Sequence, residues 1–263
     1  MKIVTLVENT SDYGLKPVHG LSLYIETLNH KLLFDLGPDE TLFENAEKMD
    51  VDLKEIDTVI ISHGHFDHGG ALEKFLELND NAKIYVQEKA FEKHYSKSDT
   101  KITEIGLNIA LKEHKQIVLL DGDYKIDDEL KLFVVDTPDP FYSEANDSLH
   151  SENGKDDFIH EQNLIINEHK KVLIMGCAHK GVINIMQKAI DENPEICIGG
   201  FHLFNPNNGQ PVSNDLLDKI AAELSKYNIE FYTCHCTGVE VFEYLSERAK
   251  NIQYLSCGTI LII

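Results

Sequence analysis

The sequence has almost no arginine. Arg248 is the only one, and Lys plus Arg total 24 against 45 Asp plus Glu, a formal net charge of −21. No basic cluster interrupts this acidic excess. Such a surface repels nucleic acid and anionic lipid, so neither is expected as a partner. An anionic substrate would need local positive charge, such as a metal, to overcome the field. Cysteine is also scarce: Cys177, Cys197, Cys234, Cys236 and Cys257. An odd, sparse set argues against a disulfide framework and for reduced thiols in a cytoplasmic protein. No apolar run approaches the roughly 20 residues of a membrane span. The opening "MKIVTLVENT" turns polar at once and lacks the apolar core of a signal peptide. Heptads and low-complexity segments are missing too.

What remains is a globular composition, 42% hydrophobic over 263 residues, enough for one large domain. No clear linker divides it, so residues 1–263 are read as a single domain. Short strand-like runs recur: "KIVTLV", "LSLYIETL", "KLLFDL", "DTVIIS", "AKIYV", "LKLFVV", "NLIIN", "KVLIM", "EICIGG", "IEFYTC" and "IQYLSCGTILII". Helical patterns fall at about 39–49, 70–78, 180–192, 213–227 and 238–250. Ser213 or Asn214, and Thr237 or Gly238, are suitable starts for the last two. This alternation points to an α/β architecture of layered sheets with helices outside. Residues 90–130 and 139–162 are more polar and less periodic. The second stretch reads as a long loop of the kind used as a lid, and about 90–160 reads as a variable, insertion-like region.

The chemistry is concentrated in "SHGHFDHGG" at 62–70. His63 and His65 lie two apart, so in an extended segment both imidazoles point the same way. Asp67 and His68 follow in a tighter loop, and Gly64, Gly69 and Gly70 permit the turn. Three imidazoles suit zinc or iron, and the carboxylate adds a harder ligand. One tetrahedral ion does not easily take all four from so short a loop. Two adjacent ions do, with His63 and His65 on one and Asp67 and His68 on the other. A water shared by two such ions loses a proton near neutral pH and becomes a nucleophile.

"HGHFDH" resembles the H-x-H-x-D-H signature of the metallo-β-lactamase superfamily, and "KLLFDLG" is similar to its strand ending in Asp-x-Gly. The resemblance implies a four-layer αββα sandwich with two metals at the edge of the sheets. Asp35 then becomes a carboxylate that orients a metal-bound histidine. Against that background, His179 in "KVLIMGCAHKG" is expected to complete the first site and His235 in "IEFYTCHCTG" the second. The metals are two divalent ions, zinc foremost, with iron and manganese as alternatives. Cys177 stands where many members of the superfamily carry a bridging aspartate. A buried structural thiol is the expectation there, and Asp136 is another possible carboxylate. If His235 faces the site, strand alternation turns Cys234 and Cys236 away from it.

"VEN" at 7–9, "HGLS" at 19–22, "GCAHKG", "GGFHL" and "HCTG" are similar to the branch related to 7,8-dihydropterin-6-methyl-4-(β-D-ribofuranosyl)-aminobenzene-5′-phosphate synthase. That branch implies a phosphorylated or anionic small-molecule substrate. Asn9, His19 and His202 are candidate substrate-binding residues, and Asp67 and His202 candidate catalytic residues. Lys180 is expected at the surface. The leading reading is therefore a dinuclear metal-dependent hydrolase or transferase. A lactonase, thioesterase or β-lactamase-like hydrolase is one alternative, and a non-catalytic metal-dependent binding or sensing protein another. A di-iron redox enzyme is disfavoured, because His65 stands where such relatives usually carry Glu.

Overall fold

A computed structural model describes residues 1–136 and 140–263. Two seven-stranded sheets dominate. The first runs in the order Ile260–Ile262, Lys2–Val7, Ser22–Glu26, Lys31–Phe34, Thr58–Ile60, Lys83–Gln87 and Ile117–Leu120. The second runs Ile252–Tyr254, Glu230–Thr233, Ile196–Gly199, Lys171–Ile174, Asn163–Asn167, Leu130–Phe133 and Tyr124–Lys125. Each sheet is antiparallel at one end and parallel at the other.

The strand sequences explain the layering. Successive side chains of a strand point to opposite faces. Leu32 and Phe34 enter the core between the sheets, while Leu33 joins the core beneath the first helical layer. Likewise Val172 and Ile174 face the other sheet, and Leu173 faces the second helical layer. Both faces are buried, so these strands read as continuous apolar runs. Helices Thr41–Lys48 and Leu72–Leu78 cover the first sheet, and Val182–Ala189, Asn214–Leu224 and Val239–Arg248 the second. The result is the expected four-layer αββα sandwich. Among the described residues no helix is long and apolar enough to cross a membrane.

Three departures from the sequence reading have physical causes. The run "IQYLSCGTILII" is not one strand: Ile252–Tyr254 closes the second sheet and Ile260–Ile262 the first. The chain crosses between them at Gly258, whose φ of +89° favours glycine. The strand Ile117–Leu120 is missing from the sequence reading although its run "IVLL" is wholly apolar; it forms a sheet edge at which only Leu120 is buried. Of the stretch 139–162 read as a long loop, residue 139 lies outside the described residues, and 140–162 are not an open loop. They hold a short 3-10 turn, Glu144–Ser148, and strands Leu149–Ser151 and Gly154–Lys155 of a small sheet shared with His94–Lys97 and Ile102–Glu104. Their polar side chains Asn146, Asp156, His160, Glu161 and Gln162 are buried, and His160 and Gln162 bond the chain around Ser62, at Gly64 N and the Ile61 carbonyl.

Candidate metal centre

The parallel strands deliver the predicted histidines to one edge of the sandwich. Thr58–Ile60 leads into His63, His65, Asp67 and His68; Lys171–Ile174 leads into His179; Glu230–Thr233 leads into His235. Layered α/β folds place their sites at such carboxyl ends. All five histidines are at least 95% buried. Gly64, Gly69 and Gly70 matter for space, since none has positive φ. A Cβ on Gly64 would lie 2.5 Å from the Ala90 carbonyl and 2.6 Å from His94 Nε2.

The donors form two groups. His63, His65 and His179 offer ring nitrogens within 4.8 Å of one another. Beside them, Asp67 Oδ2 lies 3.2 Å from His235 Nε2 and 3.7 Å from His68 Nε2, and the two Nε2 atoms are 3.2 Å apart. The residues paired in the sequence reading thus lie close together, although His63 also lies within 4.8 Å of a donor atom of His68, across the two groups. Two nitrogens bonded to one tetrahedral zinc at 2.0–2.1 Å would stand about 3.3 Å apart. The His68–His235 separation of 3.2 Å and the His63–His179 separation of 3.3 Å are close to that edge.

Hydrogen bonds at the far side of the His63, His179 and His235 rings fix their tautomers. Ser62 Oγ donates to Asp35 Oδ2 at 2.7 Å, so it accepts from His63 Nδ1 at 2.8 Å. His179 Nδ1 donates to Asn146 Oδ1 at 2.8 Å, and His235 Nδ1 to Asn9 Oδ1 at 2.8 Å. Burial, reinforced by neighbouring imidazoles, pushes His63 and His179 well below the usual histidine range. Both are therefore neutral, with lone pairs on Nε2. Those two lone pairs face each other at 3.3 Å with no proton between them. A cation resolves that repulsion, so the donor set fits a metal.

His68 behaves differently. Burial opposes its protonation, but Asp35 and Asp67 outweigh burial and raise it to about 9. Without a cation it holds a proton on Nε2, toward His235 and Asp67. A divalent ion would take that proton's place. Asp67 is held well below the usual carboxylate range: burial acts to raise it, and His68 and His235 overcome this.

Asp35 bonds one of the predicted donor rings. It is fully buried, and its Oδ2 accepts from His68 Nδ1 at 2.7 Å while its Oδ1 accepts from Ser62 N at 2.7 Å. Its φ of +61° is unusual for a non-glycine residue and marks a constrained turn. Asn9 is engaged with His235: besides the ring contact, its Nδ2 donates to the His235 carbonyl at 3.3 Å. His19 lies half exposed on the rim, 3.3 Å from Asp67 Oδ2. His202 packs against His179, ring centroids 4.2 Å apart, and neither of its ring nitrogens has a hydrogen-bond partner.

Two thiols depart from expectation. Residues 235–237 form a 3-10 turn, so strand alternation ends at Thr233. Cys234 enters the core between the sheets, whereas Cys236 lines the site and its Sγ accepts from His202 N at 3.2 Å. Cys177 Sγ lies 3.1 Å from His68 Nε2, inside the cluster. Asp136 is exposed and outside it. Lys180, expected at the surface, is buried beside Glu161, whose carboxylate accepts from the backbone nitrogens of His179 and Lys180.

The sequence reading missed a second layer. Asp156 accepts from His94 Nδ1 at 2.8 Å, His160 Nε2 at 3.3 Å and Phe158 N at 2.8 Å. His160 Nδ1 in turn accepts from Gly64 N at 2.9 Å, between His63 and His65. Glu8 Oε1 accepts from His235 N at 2.6 Å. Glu8 lies in "VEN" at the end of an apolar strand, beside Asn9; His94, Asp156 and His160 lie in polar stretches with no spacing motif, and the only signal for the last two is the density of His and acid in "DDFIHEQ".

Comparison with known proteins agrees with this geometry. Residues 15–151, more than half of the chain, match the family model described as metallo-beta-lactamase superfamily. An uncharacterized protein of Methanocaldococcus jannaschii is 29% identical over 270 residues, covering 98% of this chain and 99% of the relative. The 7,8-dihydropterin-6-methyl-4-(beta-D-ribofuranosyl)-aminobenzene-5'-phosphate synthase of the same organism is 27% identical over 291 residues, covering 99% and 96%. A crystal structure of a metal-dependent hydrolase of the beta-lactamase superfamily aligns with a TM-score of 0.82 at 26% identity, covering 100% and 99%. With its loop of three histidines and an aspartate at the sheet edge, the chain belongs to the metallo-beta-lactamase superfamily.

Proposed function

We propose that the protein is a dinuclear metal-dependent enzyme, a hydrolase or transferase, acting on a small phosphorylated or otherwise anionic molecule. The observation that carries this reading is the pair of facing lone pairs on His63 and His179, with a second donor set, Asp67, His68 and His235, beside it. Divalent ions held there would supply Lewis acidity, the chemistry these donors would bring to the site.

The chain's own residues do the rest. Asp35, Ser62, Asn146 and Asn9 hold the donor rings in one tautomer. Asp67 and His19 line the cavity together, and His202, whose ring nitrogens have no hydrogen-bond partner, lines it as well. His202 can donate a proton at Nδ1 or Nε2 to a departing oxygen. The adjoining cavity is about 520 Å³, enough for one small molecule. Phe66, Ile105, Leu149, Phe204 and Val239 give it apolar walls. No Lys or Arg is among its described lining residues. An anionic group would therefore sit at the metal end, with a flat, less polar body against the walls. A pterin-type substrate, as in the name of the synthase relative, has that division.

The same walls favour one competing reading, a neutral ester substrate such as a lactone or acyl thioester. A panel of metal-loaded protein on phosphate esters, pyrophosphate esters, lactones, acyl thioesters and nitrocefin separates the two. Turnover confined to phosphorylated compounds supports the proposal; turnover confined to lactones or thioesters refutes its substrate class.

A further inference from the structure

We propose that Glu240 determines substrate specificity: its carboxylate receives an amino or other N–H group at the non-reacting end of the substrate and turns away a second phosphate. The inference rests on the substrate class proposed above. Its basis is which polar groups of the cavity are free. Outside the donor sets, most polar side chains lining the cavity are already bonded to the protein. Thr10 Oγ1 donates to Glu8 Oε2 at 2.6 Å, and Tyr254 OH to Glu8 Oε1 at 2.8 Å. Asn207 Nδ2 donates to Ser96 Oγ at 2.8 Å, and Ser148 Oγ to the Ala145 carbonyl at 3.3 Å. Asn9 and His19 are engaged with His235 and Asp67. Two side chains bearing nitrogen or oxygen remain. His202 has no partner at either ring nitrogen. Among the described residues, no hydrogen bond or ion pair engages the Glu240 carboxylate.

The fold sets these two apart. His202 is 7% exposed and packs on His179 of one donor set. Glu240 is exposed, in the first turn of helix Val239–Arg248. That helix is fixed by Val241 and Leu245, both buried in the core. Its N-cap, Gly238, has φ of +77°, and a Cβ there would stand 3.1 Å from Phe204 Cβ. The carboxylate is thus carried on a rigid element at the open side of the cavity, while the free imidazole lies at the buried donor end.

Asp67 and Glu240 are the two carboxylates among the described lining residues, and no Lys or Arg joins them. Asp67 faces His235 and His68, whereas no ion pair balances Glu240. A phosphate at the outer end of a substrate would meet this unpaired charge, on a chain already at −21. An ammonium, an amidine or a ring N–H would find an acceptor there. The molecule that fits carries an anionic group for the donor end, a flat apolar middle for Phe66, Ile105 and Leu149, and an N–H group for Glu240. A bisphosphorylated molecule does not fit.

The test is calorimetric binding of matched phosphate monoesters to metal-loaded wild type, Glu240→Gln and Glu240→Lys. The probes are phenyl phosphate, its 4-aminomethyl and 4-carboxy derivatives, and the same three built on biphenyl to lengthen the reach; KM is read instead where an ester is turned over. In at least one series wild type should bind the aminomethyl ester about two- to fivefold more tightly than the unsubstituted one, and the carboxy ester more weakly by a similar factor, the range of an exposed ion pair. Both differences should shrink as salt is raised. Glu240→Gln should bind the unsubstituted esters as wild type does and lose the ranking, and Glu240→Lys should invert it. A ranking that survives in Glu240→Gln, or a wild type that shows no ranking or prefers the carboxy esters, overturns this inference alone. Failure of every ester to bind wild type overturns the phosphorylated-substrate reading on which it rests.

Discussion

Replacing Asp35 by Asn tests how the site is held together. The side chain is fully buried and accepts three hydrogen bonds, from Ser62 N, Ser62 Oγ and His68 Nδ1, each 2.7 Å long. Asn keeps the shape but offers one oxygen and one NH₂. Whichever way the amide turns, at least one donor then faces another donor. A buried hydrogen bond to a charged group is worth about 1.5–3 kcal/mol, and loss of a group that orients a metal ligand weakens binding about 10–100-fold. The two scales agree, since tenfold corresponds to about 1.4 kcal/mol. The structure adds that the damage is not confined to His68. Ser62 Oγ links Asp35 to His63, so both donor sets lose orientation. Competition against a chromophoric chelator should show both ions bound about 10–100-fold more weakly in Asp35→Asn. Ser62→Ala should weaken chiefly the ion held by His63. Unchanged affinity in Asp35→Asn would refute the argument that this carboxylate holds the rings.

Three further outcomes follow from the same geometry. His202→Ala should keep both metals and lose about 10²–10⁴-fold in turnover; loss of metal in parallel with activity would remove His202 from the substrate side. His160→Ala leaves Gly64 N–H without its acceptor, so thermal or urea unfolding should show a loss of about 1–3 kcal/mol, and unchanged stability would mean that the loop is held elsewhere. His30 bridges the sheets, with Nδ1 2.9 Å from Asp57 and Nε2 2.6 Å from Asp127. Burial works to lower its affinity for a proton, but the two carboxylates outweigh it and raise the folded-state pKa. This contribution to stability is complete below the unfolded value near 6.5 and disappears as pH rises through the higher folded value. Wild type should therefore exceed His30→Gln in stability by more at pH 6 than at pH 9, and an equal or inverted difference would contradict the assignment.

The sequence disclosed the parts of the site that obey spacing rules. His63, His65, Asp67 and His68 are read from a contiguous motif, and His179 and His235 from apolar strands that end at a histidine. The layers were legible because strands buried on both faces read as apolar runs. Cys236 was misread because alternation holds only while the chain is extended, and it turns at His235. The network of His94, Asp156 and His160 was hidden because its members are far apart in sequence and meet only through the small sheet and the Gly64 amide. Residues 139–162 looked like solvent-facing loop because polarity alone does not distinguish a hydrated side chain from a buried, fully hydrogen-bonded one.

The central claim is that the two donor sets hold two ions. Metal content of the chain after saturation and removal of excess, measured by elemental analysis and native mass spectrometry, tests it most directly. Two divalent ions per chain are predicted, falling toward one in His179→Ala and in Asp67→Ala. A wild-type ratio that stays at or below one under metal excess would contradict the account.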